Sequence, residues 1–231
     1  MKFGVLDSGI GGLSVLLEIV KTNCKGTFYY LGDNLNAPYG DKTREQLINL
    51  TNKNIKTFLN LGIKNIIIAC NTLSTTIKNY LINRYKFINF YFISPNLNSL
   101  NKTKQLCYVL CTKKTAQNLK KQKNINKNIE IINCSGLVDL LEKDFYNVKL
   151  KNIKKFLPKK EPKYLYLGCT HYPLVSTLIK KVYKNAIFLD GISDFVSSIN
   201  FVKGENLTKI CFIGPSKYKN GQIFGFLQKK L

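Results

Sequence analysis

Two cysteines of the 231-residue chain follow short apolar runs and precede polar residues. Cys70 lies in NIIIACNTLS (65–74), and Cys169 lies in YLYLGCTHYPL (164–174), two positions before His171, the only histidine of the protein. Two similar acid/base groups on opposite faces of one carbon can remove a proton from one side and return a proton from the other. Such a pair would invert the configuration of that carbon. For each cysteine, the alternative is a buried thiol of the core.

Asp7 and Thr112 also follow apolar runs of the kind that predicts buried parallel strands. In parallel α/β sheets, ligands bind outside the carboxyl ends of the strands, where helix N-termini favour an anion such as a substrate carboxylate. A thiol at a helix N-terminus is also expected to have a pKa below its usual value of about 8.5. We therefore predict a ligand site at these strand ends, with His171 tuning proton transfer at Cys169. The alternative for His171 is an ordinary surface or core histidine with one hydrogen bond.

The elements that would position these residues repeat one local pattern four times: a short apolar run, a polar or sulfur-bearing residue, and a helical pattern. The four segments are KFGVLDSGIGGLSVLLEIV, KNIIIACNTLSTTIKNYLI, QLCYVLCTKKTAQNLKK and KYLYLGCTHYPLVSTLIKKVY. Alternating strands and helices predict βαβ units and a parallel sheet, and Ser, Thr or Asn near each helix start predicts an N-cap. Further strands are predicted at residues 27–32, 90–94, 129–134, 186–190 and 209–214.

This inventory of strands fits two sheets of four or five strands better than one very wide sheet. The predicted fold class is therefore α/β, with two domains that each contain a mostly parallel sheet flanked by helices. Turn residues around Ser94 and Pro95 predict a boundary at that point. We predict a first domain over residues 1–94, to which residues 204–231 return, and a second domain over residues 95–203.

The seven cysteines predict neither disulfides nor a zinc site. Their number is odd, no export signal is recognised, and the cytosol keeps thiols reduced. Cys107 and Cys111 are four positions apart, but a single histidine and no second pair at ligand spacing leave no zinc ligand set, so no metal site is predicted. We interpret the other cysteines as small buried hydrophobic residues: Cys24, Cys107, Cys111, Cys134 and Cys211.

The formal net charge of +23 would attract nucleic acid or an anionic membrane without any specific design. The lysines are spread along the chain with many asparagines and isoleucines, which is typical of a compositional bias and not of a binding surface. We therefore predict no nucleic-acid partner. No segment approaches the length needed to cross a bilayer, and the start of the chain does not resemble a secretory signal, so we expect a soluble cytoplasmic protein without a membrane partner.

Four motifs, DSGIGGLSV, YLGDNLNAPYG, IIIACNTLS and YLGCTHYPL, resemble those of the glutamate racemase family in the same order and at matching separations. The segments VLCTKKTAQN and NCSGLVDLLE are also similar to segments of that family. The resemblance implies two pseudo-symmetric α/β domains, often in a dimer, with the active site between the domains at the C-terminal ends of the strands. It further implies a cofactor-independent two-base racemase that interconverts L- and D-glutamate, the D-isomer entering peptidoglycan.

The resemblance also implies roles for individual residues. Cys70 and Cys169 would be the two proton donors and acceptors, Asp7 would assist Cys70, and His171 with Glu142 would assist Cys169. The residues that would hold the amino and carboxylate groups of the substrate are Asp7, Ser8, Pro38, Tyr39, Gly40, Asn71, Thr72, Thr112, Thr115, Thr170 and His171. The implied partners are glutamate, as a small-molecule substrate, and a second copy of the chain in a homodimer.

Two alternatives stay open at this point. An aspartate racemase, or another two-cysteine racemase, would use the same pair of thiols, although PYG (38–40) and the two cysteine motifs favour glutamate. A non-catalytic basic binding protein on the same scaffold would account for the positive charge, whereas the presence of both thiols, Asp7 and His171 argues against it.

Overall fold

The computed structural model describes residues 1–202, 204 and 208–229. The strands are β1 Lys2–Asp7, β2 Gly26–Gly32, β3 Asn65–Ile68, β4 Asn89–Phe92, β5 Cys107–Cys111, β6 Ile129–Asn133, β7 Tyr164–Leu167, β8 Ile187–Leu189 and β9 Thr208–Phe212. The α-helices are α1 Leu13–Lys21, α2 Arg44–Asn60, α3 Asn71–Arg84, α4 Lys113–Leu119, α5 Ser135–Lys143, α6 Leu150–Lys154, α7 Ser176–Lys180, α8 Ile192–Ser197 and α9 Lys217–Gln228. Short 3₁₀ segments lie at Asn34–Asn36, Tyr39–Asp41, Leu100–Lys102, Phe145–Asn147 and Tyr172–Val175.

The described strands form two sheets in which every neighbouring pair is parallel. One sheet has the order β9-β2-β1-β3-β4, and the other has the order β6-β5-β7-β8. Apart from β9, the two orders are the same, second-first-third-fourth. Two parallel sheets flanked by helices confirm the predicted α/β class.

The register makes the correspondence between the two sheets specific. Leu6 of β1 is opposite Ile68 of β3, and Leu110 of β5 is opposite Leu167 of β7. In each sheet the next residue of the third strand continues the ladder: Ala69 N–H donates to Leu6 O at 2.9 Å, and Gly168 N–H donates to Leu110 O at 2.7 Å. The residues that follow, Cys70 and Cys169, therefore stand at equivalent places.

Helix α1 joins the two halves of the molecule in one hydrophobic cluster; the first half is built around the sheet of β1–β4 and β9, and the second half around the sheet of β5–β8. Its sequence LSVLLEIVK is apolar on most of its circumference, and Leu13, Val15, Leu16 and Ile19 are fully buried. The cluster around it joins side chains of the first sheet to side chains of the second half, such as those of α5 and β7. Helix α1 also contacts α8 and α9. Glu18 and Val20 are half-buried and Lys21 is exposed, so the helix lies between two layers with its last turn reaching solvent.

The final elements add to the first sheet. Strand β9 pairs with β2 from Gly26↔Thr208 to Tyr30↔Phe212, and α9 packs against β2 and β9. Of the segment 204–231 that was predicted to return, residues 205–207, 230 and 231 lie outside the described part of the chain. The domain limits themselves stay a prediction.

Two local expectations were only partly right. Thr112 caps α4 by accepting a hydrogen bond from Thr115 N–H, whereas Gly12 and Cys70 precede α1 and α3 without a side-chain cap. After β7 the chain forms a 3₁₀ turn from Tyr172, and the short helix α7 begins only at Ser176. Pro173 lies in the first turn of this segment, where its fixed φ and missing N–H are tolerated.

All seven cysteines are free. Four of the five assigned to the core are buried, and Cys211, on the outer strand β9, is only half-buried because β9 lies at the edge of its sheet. None of the helices in the described part of the chain combines the length and the apolar character that crossing a membrane requires.

Candidate active site

The predicted chemical residues lie at the carboxyl ends of neighbouring strands. Asp7 ends β1, Thr112 follows β5 directly, and Cys70 and Cys169 follow β3 and β7 by two residues. All four are buried, and the two thiol residues are only 4% and 7% exposed. The charge of Cys169 is among the causes that raise the pKa of Cys70, so the two sulfurs lie within electrostatic range across the two halves.

Cys70 lies at the N-terminus of α3, but its thiol is not acidified. Burial, followed by the negative charge of Asp7, raises the pKa of Cys70 from 9.0 to about 12. The backbone N–H of Leu73 and a hydrogen bond with Ser8 act in the opposite direction and do not compensate. The sequence-based expectation of a lowered pKa is therefore wrong for this residue, because desolvation of a buried thiolate exceeds the stabilisation by the helix N-terminus.

Asp7 connects the first half to the second. Its Oδ1 accepts a hydrogen bond from Gly9 N–H at 3.0 Å, and its Oδ2 accepts one from Thr170 Oγ1 at 3.1 Å. Complete burial raises the pKa of Asp7, and the positive charge of His171 and these two hydrogen bonds only partly oppose the effect. A carboxyl group with a raised pKa can exchange protons closer to neutral pH than an ordinary aspartate.

Cys169 has a different set of neighbours. Its Sγ lies 3.7 Å from Nδ1 of His171, and Nε2 of His171 lies 2.7 Å from Oε1 of Glu142. Burial alone would lower the pKa of His171, but its hydrogen bonds to Cys169 and Glu142 outweigh burial and hold that pKa well above the usual value. Burial alone would raise the pKa of Glu142, but the hydrogen bond from His171 leads a group of contacts that lowers it. The two side chains form a buried ion pair beside the sulfur.

A cluster of threonine hydroxyls lies where the halves meet. Thr72 Oγ1 lies 3.0 Å from Thr112 Oγ1, which donates to Thr115 Oγ1 at 3.1 Å. Gly40 packs against the same place, since a Cβ at Gly40 would lie 2.8 Å from Thr112 Cβ. Three of the predicted substrate-binding threonines thus come together with one backbone segment of the first half.

The other predicted binding residues lie around these groups. Asn71 and Thr72 begin α3, where backbone N–H groups have no partner within the helix. Thr170 contacts Asp7, as described, and its backbone oxygen accepts a hydrogen bond from Ser14 at 2.9 Å. Pro38 follows a cis peptide bond and is half-buried, whereas the hydroxyl of buried Tyr39 donates to Asp33 Oδ2 at 2.6 Å. The Tyr39 hydroxyl is therefore engaged within the first half.

The glycines of the DSGIGG loop make the site possible. A Cβ at Gly9 would lie 1.7 Å from Glu142 Oε1, and one at Gly11 would lie 2.3 Å from His171 Nδ1. The backbone N–H of Ile10, between them, donates to Glu142 Oε1 at 2.6 Å. Glycine allows this loop to touch the ion pair from the opposite half.

Two further neighbours of Glu142 were missed. Asn34 Nδ2 donates to Glu142 Oε2 at 2.8 Å, and Lys219 Nζ donates to the backbone oxygen of Glu142 at 2.7 Å. Asn34 follows the end of β2, so the same strand-end argument could have identified it. Lys219 lies on α9, and no sequence pattern places that helix beside α5.

The halves repeat the thiol but not its surroundings. By register, Asp7 corresponds to Cys111, and Thr72 corresponds to His171. One thiol is therefore next to a buried carboxyl, and the other is next to a buried imidazolium–carboxylate pair. Both arrangements can move a proton, and between them they can act on two faces of one bound molecule.

No model of a known protein family matches the chain. The glutamate racemase of Carboxydothermus hydrogenoformans is 33% identical over 243 residues, which cover 98% of this chain and 91% of the relative. The solved glutamate racemase of Campylobacter jejuni subsp. jejuni has a TM-score of 0.80 at 24% identity, with 98% of this chain and 97% of the other covered. That of Francisella tularensis, solved in complex with D-glutamate, has a TM-score of 0.76 at 24% identity over 96% and 92% of the two chains.

The structural similarities extend over both sheets and agree with the fold described above. The sequence similarity extends over nearly the whole chain. The chain belongs to the glutamate racemase family, a family of amino-acid racemases and thus of isomerases.

Proposed function

We propose that the chain interconverts L- and D-glutamate by a two-base mechanism that uses no cofactor. One observation carries the proposal: Cys70 and Cys169 stand at equivalent places after β3 and β7, in two sheets of the same strand order. Family membership supports glutamate as the substrate, as does the complex of the Francisella tularensis relative with D-glutamate.

In this mechanism one cysteine, as thiolate, removes the α-proton, and the other, as thiol, gives a proton to the opposite face of the carbon. The electron pair left by the first step is used by the new C–H bond in the second. Each turnover leaves the two sulfurs with exchanged protonation states, ready for the opposite enantiomer. A pKa of about 12 makes Cys70 a thiol near neutral pH, so in the ligand-free protein it is ready as the proton donor.

The neighbours would serve the two thiols separately. Asp7, buried and close enough to raise the pKa of Cys70, would take up the proton of that thiol when Cys70 has to act as a base. The His171–Glu142 ion pair would serve Cys169, because the imidazolium faces Sγ through Nδ1 and can stabilise negative charge there or return a proton.

The substrate carboxylates and amino group need donors and acceptors around the reacting carbon. We assign this role to the backbone N–H groups at the start of α3, where the helix dipole favours an anion, and to the neighbouring residues. These are Asp7, Ser8, Pro38, Tyr39, Gly40, Asn71, Thr72, Thr112, Thr115, Thr170 and His171. Burial of most of these groups supports the assignment, since charged hydrogen bonds are stronger away from water.

The wider setting is part of the same proposal. The D-glutamate produced would enter peptidoglycan in the cytoplasm, and the protein would act as a homodimer. Residues 1–94 with 204–231, and residues 95–203, would form the two domains that enclose the substrate. Pairing of β9 with β2 and the strand order of the two sheets support this division.

The test follows the circular-dichroism signal of purified protein with L-glutamate and with L-aspartate, in D₂O and without added cofactor. Loss of signal with glutamate alone, with deuterium entering at the α-carbon, is the expected result. Loss of signal with aspartate would assign the protein to an aspartate racemase with the same chemistry. No change with either amino acid would contradict the proposal, and strongly salt-dependent DNA binding would then point to a basic binding protein.

Asp7→Asn should stabilise the folded protein near neutral pH while it slows racemisation. The folded-state pKa of Asp7 is raised from 3.8, so its contribution to stability is fully present only below that pH and is lost as the pH rises through the folded-state pKa. Asparagine keeps an acceptor for Gly9 N–H and offers a donor to Thr170, but it cannot take up a proton. Thermal unfolding should show a gain of a few degrees for the variant at about pH 8 and a smaller gain at about pH 4. A variant that is less stable at both pH values would contradict this assignment.

A further inference from the structure

Glu142 belongs to α5 of the second half, yet most of its partners come from the first sheet and its helices. Ile10 N–H, from the loop after β1, donates to Oε1 at 2.6 Å, and Asn34 Nδ2, from the turn after β2, donates to Oε2 at 2.8 Å. Lys219, on α9, contacts the same residue. His171 is the partner from the second half. The carboxylate is thus oriented by groups that approach from across the boundary between the halves.

The side-chain amide of Asn34 has one unpaired atom and one hydrogen-bonded atom. Its Oδ1 is buried and has no hydrogen-bond partner among the described residues, while its Nδ2 is bonded to Glu142. A buried unpaired acceptor destabilises the folded state, so packing alone does not explain an amide at this position. The bond from Nδ2 to the Glu142 carboxylate is the favourable interaction that the side chain makes.

Lys219 holds Glu142 at two points. Its Nζ donates to the backbone oxygen of Glu142 at 2.7 Å and lies 3.7 Å from Oε2. That backbone oxygen is among the last carbonyls of α5, which lack partners within the helix and attract a cation. The contact therefore fixes the end of α5 and places a positive charge beside the carboxylate.

We propose that Asn34 and Lys219 are positioning residues that hold the Glu142 carboxylate against His171 and thereby control proton transfer at Cys169 but not at Cys70. The inference rests on the proposed two-base racemisation. The effect is limited to Cys169 because Asn34 and Lys219 contact Glu142, Glu142 contacts His171, and His171 contacts the Cys169 sulfur. Cys70 has Ser8 and Asp7 as its neighbours instead.

The test compares primary isotope effects with L- and D-glutamate deuterated at the α-carbon, for the wild type, Asn34→Ala and Lys219→Met. If transfer at Cys169 is slowed, the enantiomer whose proton is removed by Cys169 shows a larger isotope effect. The other enantiomer shows a smaller effect, because its slow step becomes protonation by Cys169, in which the substrate C–H bond is already broken. We expect kcat to fall roughly tenfold for Asn34→Ala, the loss typical of one hydrogen bond to a charged group, and about threefold for the half-exposed Lys219→Met.

Two comparisons separate positioning from general damage. Asn34→Ala removes an unpaired buried oxygen together with the bond, so its melting temperature should stay within about 3 °C of the wild type while its activity falls. Lys217→Met, on the same helix but stacked over exposed Tyr218, should leave kcat and both isotope effects unchanged. Glu142→Gln changes the carboxylate itself and is the reference for a direct effect on Cys169. It should also raise the isotope effect for one enantiomer and lower it for the other.

The proposal would be overturned if the isotope effects for L- and D-glutamate both rose or both fell in these variants. Unchanged kinetics in Asn34→Ala and Lys219→Met would also overturn it. A wild type that racemises neither glutamate nor aspartate would instead refute the proposed function, before any variant is compared.

Discussion

Replacing either Cys70 or Cys169 by alanine should abolish racemisation of glutamate. A positioned general acid or base contributes about 10²–10⁴ to a rate, and each direction of the reaction needs both thiols, so we expect kcat to fall by roughly 10³-fold or more. The measurement is the change in circular-dichroism signal starting from each pure enantiomer. Activity comparable to that of the wild type in either variant would exclude the mechanism.

The same variants should each retain exchange with one enantiomer. In Cys70→Ala, the thiolate of Cys169 can still remove the α-proton that faces it and return deuterium to the same face in D₂O. Proton magnetic resonance should therefore show deuterium entering one enantiomer of glutamate without inversion in Cys70→Ala, and entering the opposite enantiomer in Cys169→Ala. Labelling of the same enantiomer by both variants would contradict the placement of the thiols on opposite faces.

Cys107→Ala is the matched control. Cys107 is also a buried cysteine, but it begins β5, whereas the site lies beyond the other end of that strand, about 13 Å away at the usual rise per residue. This variant should keep most of the activity. A loss as large as that of the other two variants would mean that removing any buried thiol disturbs the protein.

Much of the fold could be predicted because its signals are local. Each of the four repeated segments holds an apolar strand and the residue that follows it, and parallel sheets bring such residues to one edge. The places of Asp7, Cys70, Thr112 and Cys169 could therefore be predicted without knowledge of the strand order. The boundaries of the five strands predicted by range agree with the structure within two residues.

The surroundings of the thiols could not be predicted in the same way, because they depend on contacts between distant parts of the chain. The bond from Ile10 to Glu142 joins residues 132 positions apart, and Lys219 comes from a helix that returns to the first sheet. The pKa of Cys70 was also misjudged, since a helix N-terminus is visible in a sequence but the depth of burial and the charge of Asp7 beside the thiol are not. The glycines of DSGIGG are common in strand-to-helix turns, and only the position of Glu142 shows what they permit.

Gly9→Ala should reduce racemisation about 10²-fold even though it adds a single methyl group. The Cβ would lie 1.7 Å from Oε1 and 2.4 Å from Cδ of Glu142, so the carboxylate has to leave its place between Ile10 and His171. The hydrogen bonds of Glu142 with Ile10 and His171 involve a charged group in a buried site, where such bonds are strongest. Displacement of the carboxylate also leaves His171 without its counter-charge. The measurement is kcat/KM in both directions, together with the melting temperature.

Gly225→Ala provides the matched control. Gly225 lies inside α9, where no atom other than its chain neighbours and the helix's own backbone lies within 4 Å of its would-be Cβ, and alanine is favoured over glycine in a helix interior by about 1 kcal/mol. This variant should keep full activity and melt at a slightly higher temperature.

A double variant identifies the cause of the loss in Gly9→Ala. If the new methyl group acts by displacing the Glu142 carboxylate, adding Gly9→Ala to Glu142→Ala should cost little beyond the loss already caused by Glu142→Ala, because the atoms that it would strike are gone. Residues in contact show such non-additivity, whereas independent sites add. Additive losses would place the effect of Gly9→Ala in the backbone of the loop that also binds Asp7, and would remove Glu142 from the explanation.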